Sequence, residues 1–211
     1  MRVLFLIIVF SSMSFQTVSA HPVVYKGATA FMTWNQSFLS DYWVTYSFSP
    51  DMAIAARAMR MTMAQGGDFN VYMPQFDYLL KRWYGDDFQA NIYVYGGFGG
   101  AKFQGRNGTA GLAGFEADAE SRRYFGLIKY EGMLPSIGKN FQQFEVRLGI
   151  APYEADYTEI ASWLMIAGKY HHGLTKNYSI TPLARFFYKT VLLEAGVSFQ
   201  GDWMLNFMFH F

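Results

Sequence analysis

The sequence predicts an all-β fold: an antiparallel up-and-down transmembrane β-barrel of about twelve strands, with ten as the alternative. Three observations predict it. Segment after segment alternates apolar and polar residues with a period of two, the pattern of strands with one wet and one apolar face. Aromatic residues make up 19 % of the chain and charged residues only 16 %, against ~25 % charged in an average soluble domain. Beyond the first ten residues there is no apolar run near the ~20 that a spanning helix requires.

The N-terminal segment reads as a targeting signal. Arg2 precedes an apolar run, Val3 to Phe10, interrupted after that by Ser11, Ser12 and Ser14. The run is too short to span a bilayer, and Val18-Ser19-Ala20 fits a small-residue cleavage site. Residues 1–20 are therefore expected to be a cleaved signal peptide, and 21–211 a single barrel domain. Cleavage removes Arg2 and no acid, leaving 16 basic against 16 acidic residues. That balance, with no basic stripe, argues against a nucleic-acid partner. The chain has no cysteine, so neither a lipid anchor on cysteine nor a disulfide framework is available. A closed barrel can do without them, because its backbone groups pair between strands.

Six hairpins are expected along the mature chain. Residues 27–36 and 40–49 form the first. In the second segment Tyr42, Val44, Tyr46 and Phe48 oppose Asp41, Thr45, Ser47 and Ser49, with Trp43 an exception on the polar side. Residues 52–63 and 70–82 follow the Pro50-Asp51 turn. Residues 88–98 alternate most clearly, Phe88, Ala90, Ile92 and Val94 against Gln89, Asn91, Tyr93 and Tyr95. The glycine-rich stretch 96–114 is expected to contain a mobile loop; it fits no phosphate- or dinucleotide-binding pattern. Segments near 122–132 and 141–151 come next, the latter setting Phe144, Val146, Leu148 and Ile150 against Gln143, Glu145 and Arg147. Residues 157–169, 177–187, 190–199 and 202–211 complete the count. The third segment and 110–121 alternate poorly, which leaves ten strands as the alternative.

The last segment, DWMLNFMFHF, places Trp203, Leu205, Phe207, Phe209 and Phe211 on one parity and Asp202, Asn206 and His210 on the other. This ending resembles the C-terminal signal of bacterial outer-membrane barrels, a final strand with alternating aromatics and a terminal Phe. The resemblance covers about ten residues. It implies outer-membrane localisation, lipid around the barrel, and recognition of those five residues by the barrel-assembly machinery. With the N-terminus in the periplasm, short turns at Pro50, Asp86, Glu120, Pro152 and Lys189 face inward to the cell. Longer loops near 64–70, 99–109, 133–140 and 170–176 face out.

Periodicity alone does not say which face is outside. A soluble periplasmic lipocalin-like carrier alternates too, with apolar residues inside. The scarcity of charge, the aromatic-rich apolar faces and the terminal Phe favour the membrane version. In that version the inward residues are the basic Arg57, Lys129, Arg147, Lys169 and Arg185 and the acidic Glu131, Glu145, Glu159, Glu194 and Asp202.

Candidate chemistry is sparse. Met59, Met61 and Met63 share a parity with Arg57, which points them into the lumen; thioethers are soft ligands that favour Cu(I). Arg60, of opposite parity, then requires a bulge or an interfacial position. His21 would begin the mature chain, although Pro22 lacks the backbone N–H that a copper chelate there would recruit. A copper-handling barrel predicts inward methionines with a histidine nearby. An enzyme acting on lipid or envelope substrates at the outer rim would draw on His171, Asn177 and Ser179, around which there is no family motif. No cofactor motif is present. The leading expectation is non-enzymatic: a narrow channel or uptake protein for small polar solutes, or a structural barrel.

Overall fold

The computed structural model describes residues 22–156 and 158–211; the expected signal peptide and His21 lie outside them. Twelve strands follow one another: β1 (Thr29–Gln36), β2 (Leu39–Ser47), β3 (Met52–Thr62), β4 (Asp68–Tyr84), β5 (Phe88–Phe103), β6 (Arg106–Ser121), β7 (Tyr124–Pro135), β8 (Phe141–Ile150), β9 (Ala161–His172), β10 (Tyr178–Tyr188), β11 (Val191–Val197) and β12 (Trp203–His210). Each pairs antiparallel with the next, and β12 returns to β1 to close the barrel. At the seam Thr29 and Phe211 exchange both backbone hydrogen bonds, each 2.9 Å. Closure leaves no strand edge, which is the condition for a sheet to sit in hydrocarbon.

The two faces are of opposite character. On β8 the buried, inward residues are Gln143, Glu145 and Arg147, whereas Phe144, Leu148 and Ile150 are exposed on the outside. On β12 Met204, Asn206, Met208 and His210 are buried inside, and Trp203, Leu205 and Phe209 are exposed outside. The apolar faces therefore point away from the lumen, the reverse of the lipocalin-like carrier. β3 alternates as regularly as the rest. Its periodicity is hidden in the sequence because alanines occupy both faces, Ala53 and Ala55 inside, Ala56 and Ala58 outside.

Several boundaries differ from the sequence expectation. The expected loop at 99–109 is ordered hairpin: β5 and β6 run on to a two-residue turn at Gln104-Gly105. Both residues have positive φ, 47° and 76°, the twist that lets two strands turn back without splaying. The turn expected at Pro152 is instead a connection of ten residues, 151–160. It lies at the end of the barrel that carries both termini, so the longest connection is not at the far end, where the others reach at most five residues. On β4 a bulge between Leu79 and Lys81 turns Leu80 outward and resets the parity. Arg82 thereby faces in and donates to Asn91 at 2.6 Å and to the Tyr93 hydroxyl at 3.1 Å. Arg60 needs no bulge; it lies exposed at the far rim, paired with Asp68.

The wall is uneven. β4, β5 and β6 have 17, 16 and 16 residues, while β11, β12 and β1 have 7, 8 and 8. Strands of ~9–11 residues suffice to cross a bilayer, so the β4–β6 side stands proud. At the far end its inward face carries Phe69, Val71, Ala101, Phe103, Ala110 and Leu112, which fold into one buried apolar cluster.

Candidate functional site

The lumen is the concave, chemically rich part of the molecule, and it is built from inward residues of every wall segment. Its centre is Arg57. The guanidinium donates to Asp41 on the neighbouring β2 at 2.9 and 2.7 Å, to Gln75 on β4 at 2.9 Å, and across the lumen to Glu131 on β7 at 2.8 and 3.0 Å. It also lies 4.4 Å from the centre of the Trp43 ring. Lys129 stands 3.4 Å from Glu116 and projects over the same Trp43 ring at 5.2 Å. Trp43, the apparent exception in the alternation of β2, is thus a lumen residue whose face receives two cations, an arrangement worth ~2 kcal/mol or more when desolvated.

A second network gathers on the other wall around Glu194. It accepts from Arg147 on β8 at 2.8 Å, from Arg185 on β10 at 2.7 Å and from Asn206 on β12 at 2.7 Å. Arg147 also pairs with Glu145, and Lys169 lies 3.5 Å from that carboxylate. The cations again meet rings: Arg147 over Trp34 at 5.5 Å and Arg185 over Phe125 at 4.4 Å. Buried charges are tolerated only when paired and hydrogen-bonded, and these carboxylates and cations meet that condition through one another.

Two of the expected lumen residues are elsewhere. Glu159 is exposed in the 151–160 connection, where its carboxylate accepts from the Asp156 backbone N–H at 3.1 Å. It lies within the β8–β9 connection, which proved long, so its parity carried no strand information. Asp202 sits beyond the end of β12 at the far rim, accepting from Ser37 Oγ at 2.7 Å and lying 3.4 Å from Lys176. Conversely, sequence reasoning passed over Asp41, Gln75, Asp77, Glu116 and Asp118, all buried in the lumen. Asp41 was findable, since it lies on the polar parity of a strand whose other face is aromatic.

The rim constellation does not assemble. His171 and Ser179 are both inward and buried, whereas Asn177 is exposed in the β9–β10 connection. What links His171 and Asn177 is a backbone bond, the His171 N–H donating to the Asn177 carbonyl at 2.6 Å. Met59, Met61 and Met63 are all inward and buried in the far-end cluster.

The space that remains is small. Between the two ionic networks lies a cavity of about 50 Å³ bordered by Trp34, Asp41, Arg57, Lys129, Glu145 and Arg147. That is room for a few waters, since ~10–15 Å³ of such space admits one. Small barrels of ~8 strands are filled by side chains and those of ~16 hold open water; this barrel of twelve is filled by long charged and aromatic ones. On the other side of the cavity the N-terminal segment contributes Val23, buried against Ala53, Leu79 and Tyr93.

A closed antiparallel barrel with an apolar exterior and a charged, hydrogen-bonded interior has the build of a transmembrane β-barrel. A known structure agrees on the fold. The chain is similar to the KdgM porin in complex with disordered oligogalacturonate, with a TM-score of 0.51 at 9 % identity, over 87 % of this chain and 99 % of that one. A second KdgM porin structure is similar over the same shares at 10 % identity, with a TM-score of 0.48. No family model matches the sequence, and no curated protein matches it.

Proposed function

We propose that the protein is an outer-membrane channel for small polar solutes, held shut in this conformation by its own side chains. The observation that carries this reading is the Arg57–Glu131 link. The polar lumen of a lipid-facing barrel is crossed by side-chain bonds, which can exchange partners. Charges of both signs line the interior, so the solute expected is polar and not strongly selected by sign. The structurally similar KdgM porin was captured with an oligogalacturonate, which supports the same broad class. In this reading the end carrying both termini faces the periplasm and lipid covers the exposed aromatic faces. Trp203, Leu205, Phe207, Phe209 and Phe211 engage the assembly machinery.

A structural barrel is the second reading, favoured by the small cavity and the apolar far-end cluster. Single-channel recordings in planar bilayers separate the two. The channel reading expects small steps from the natural protein and larger, longer openings when Arg57 and Glu131 are both replaced by serine. A double variant that folds, inserts and passes no current would leave the structural reading standing. Outer-membrane fractionation with a heat-dependent gel shift checks location and closure beforehand.

A further inference from the structure

We infer that the far-end apolar cluster is a binding site for one soft monovalent cation, Cu(I) or its analogue Ag(I). Its ligands are the His171 imidazole and the thioethers of Met61, Met63 and Met133. The inference stands apart from the channel reading, which needs none of these residues.

The first observation is an imidazole with nothing to bond. His171 is fully buried, and neither Nδ1 nor Nε2 has a hydrogen-bond partner. Buried polar groups are almost always satisfied, and one that is not calls for an explanation such as a missing ion. The fold satisfies an imidazole with sulfur elsewhere: His210 Nε2 lies 3.1 Å from Met208 Sδ. His171 has no such contact. It is held between two rings, Phe38 edge-on at 5.2 Å between centres and Phe141 stacked at 6.4 Å.

The second observation is where the sulfurs lie. Both rings belong to the far-end cluster, and so do Met61, Met63 and Met133. The backbone brings each methionine near Phe38, near Phe141 or near the turn that follows His171. Met61 pairs with Leu39, next to Phe38, and the Thr62 N–H donates to the Phe38 carbonyl at 2.9 Å. Met63 bridges Leu174, three residues beyond His171, and the Ala64 N–H donates to the Gly173 carbonyl at 2.9 Å. Met133 pairs with Phe141. Two separate stretches of chain, the end of β3 and β7, thus bring three thioethers towards one orphan imidazole.

The chemistry selects the ion. Thioether and imidazole are neutral, soft donors that suit Cu(I). Among the described residues no group of three His, Asp or Glu is placed to hold a metal, so a hard divalent cation has no comparable site. Lys169, two residues from His171 on the same face, is offset by Glu145 at 3.5 Å, which lessens its repulsion of a monovalent guest. Methionine side chains are flexible enough to turn their sulfur atoms onto an ion without moving the backbone.

The test is anaerobic titration of the detergent-folded, full-length barrel with Cu(I) in competition with a chromophoric Cu(I) chelator. The expected result is one equivalent withdrawn per barrel, with both sulfur and nitrogen neighbours in the copper X-ray absorption spectrum. The volume-conserving pair Met61→Leu with Met63→Leu, and separately His171→Phe, should each weaken binding at least tenfold. Met165→Leu, which removes a buried sulfur from a different cluster, should leave it unchanged. The heat-dependent gel shift verifies that every variant is folded. Failure of the natural protein to compete, or undiminished binding in the folded variants, would overturn the inference. So would loss of binding on Met208→Leu alone, which would move the ion to the other end of the barrel.

Discussion

Arg57 on β3 and Glu131 on β7 meet across the lumen through two hydrogen bonds, 2.8 and 3.0 Å, with both side chains buried. Removing one partner of such a pair strands a buried charge, a loss of ~3–5 kcal/mol. The two ends of the link are not equivalent, because Arg57 also holds Asp41 and Gln75. Arg57→Ala should therefore destabilise the barrel more than Glu131→Gln. Denaturant unfolding from lipid vesicles, followed by tryptophan fluorescence, measures the difference; equal losses would refute the central role given to Arg57.

The outward face should reject charge. Ile166, exposed midway along β9, points away from the lumen between Leu148 and Pro182. Ile166→Arg should cost ~2–4 kcal/mol in vesicles, as arginine does at the bilayer midplane. An unchanged unfolding midpoint would mean that this face meets water.

Glycine is required at one lumen position and not at one on the outer face. A Cβ on Gly114 would lie 2.5 Å from the Tyr95 ring and 2.6 Å from the Tyr130 carbonyl, whereas one on Gly168 meets nothing within 4 Å. Gly114→Ala should cost about 1–3 kcal/mol through overpacking. Gly168→Ala should be neutral or slightly stabilising, since it restricts the unfolded chain. The same unfolding assay reads both.

The two-residue turns make a matched prediction. Gly105 has φ of 76° and Lys189 of 53°, and the left-handed region costs a side-chain-bearing residue about 1–2 kcal/mol. Gly105→Val should destabilise the β5–β6 hairpin, seen as faster hydrogen exchange near the turn. Lys189→Gly should slow exchange at the β10–β11 turn or leave it unchanged.

Closure should depend on the last residue. Phe211 supplies both backbone bonds to Thr29 at the seam and an exposed aromatic ring outside. Deleting it should lower the yield of heat-modifiable barrel in the outer-membrane fraction. Phe211→Tyr, which keeps backbone and ring, should retain that yield.

Strand number, parity and polarity were legible in the sequence wherever large apolar side chains alternate with charge, as at Phe144 to Ile150 or Trp203 to Phe211. They were illegible where small residues occupy both faces, as on β3 and along 96–114, because alanine and glycine carry little hydrophobic contrast. The short turn at Gln104-Gly105 was missed for a related reason. The flanking glycines resemble a loop in composition, and only cross-strand pairing makes them strand.

What the sequence by itself determined is the alternation, and with it a barrel with charged residues gathered on one face and an apolar, aromatic-rich face opposite. Which charges meet was decided only by the tertiary structure. Arg57 and Glu131 are 74 positions apart and share nothing but an inward parity; closing twelve strands into a ring sets them at bonding distance. The same closure sets the His171 ring against Phe38 and Phe141, two members of the cluster that holds Met61, Met63 and Met133. Local periodicity encodes the direction of a side chain, whereas the partner it finds depends on register and circumference, which belong to the whole sheet.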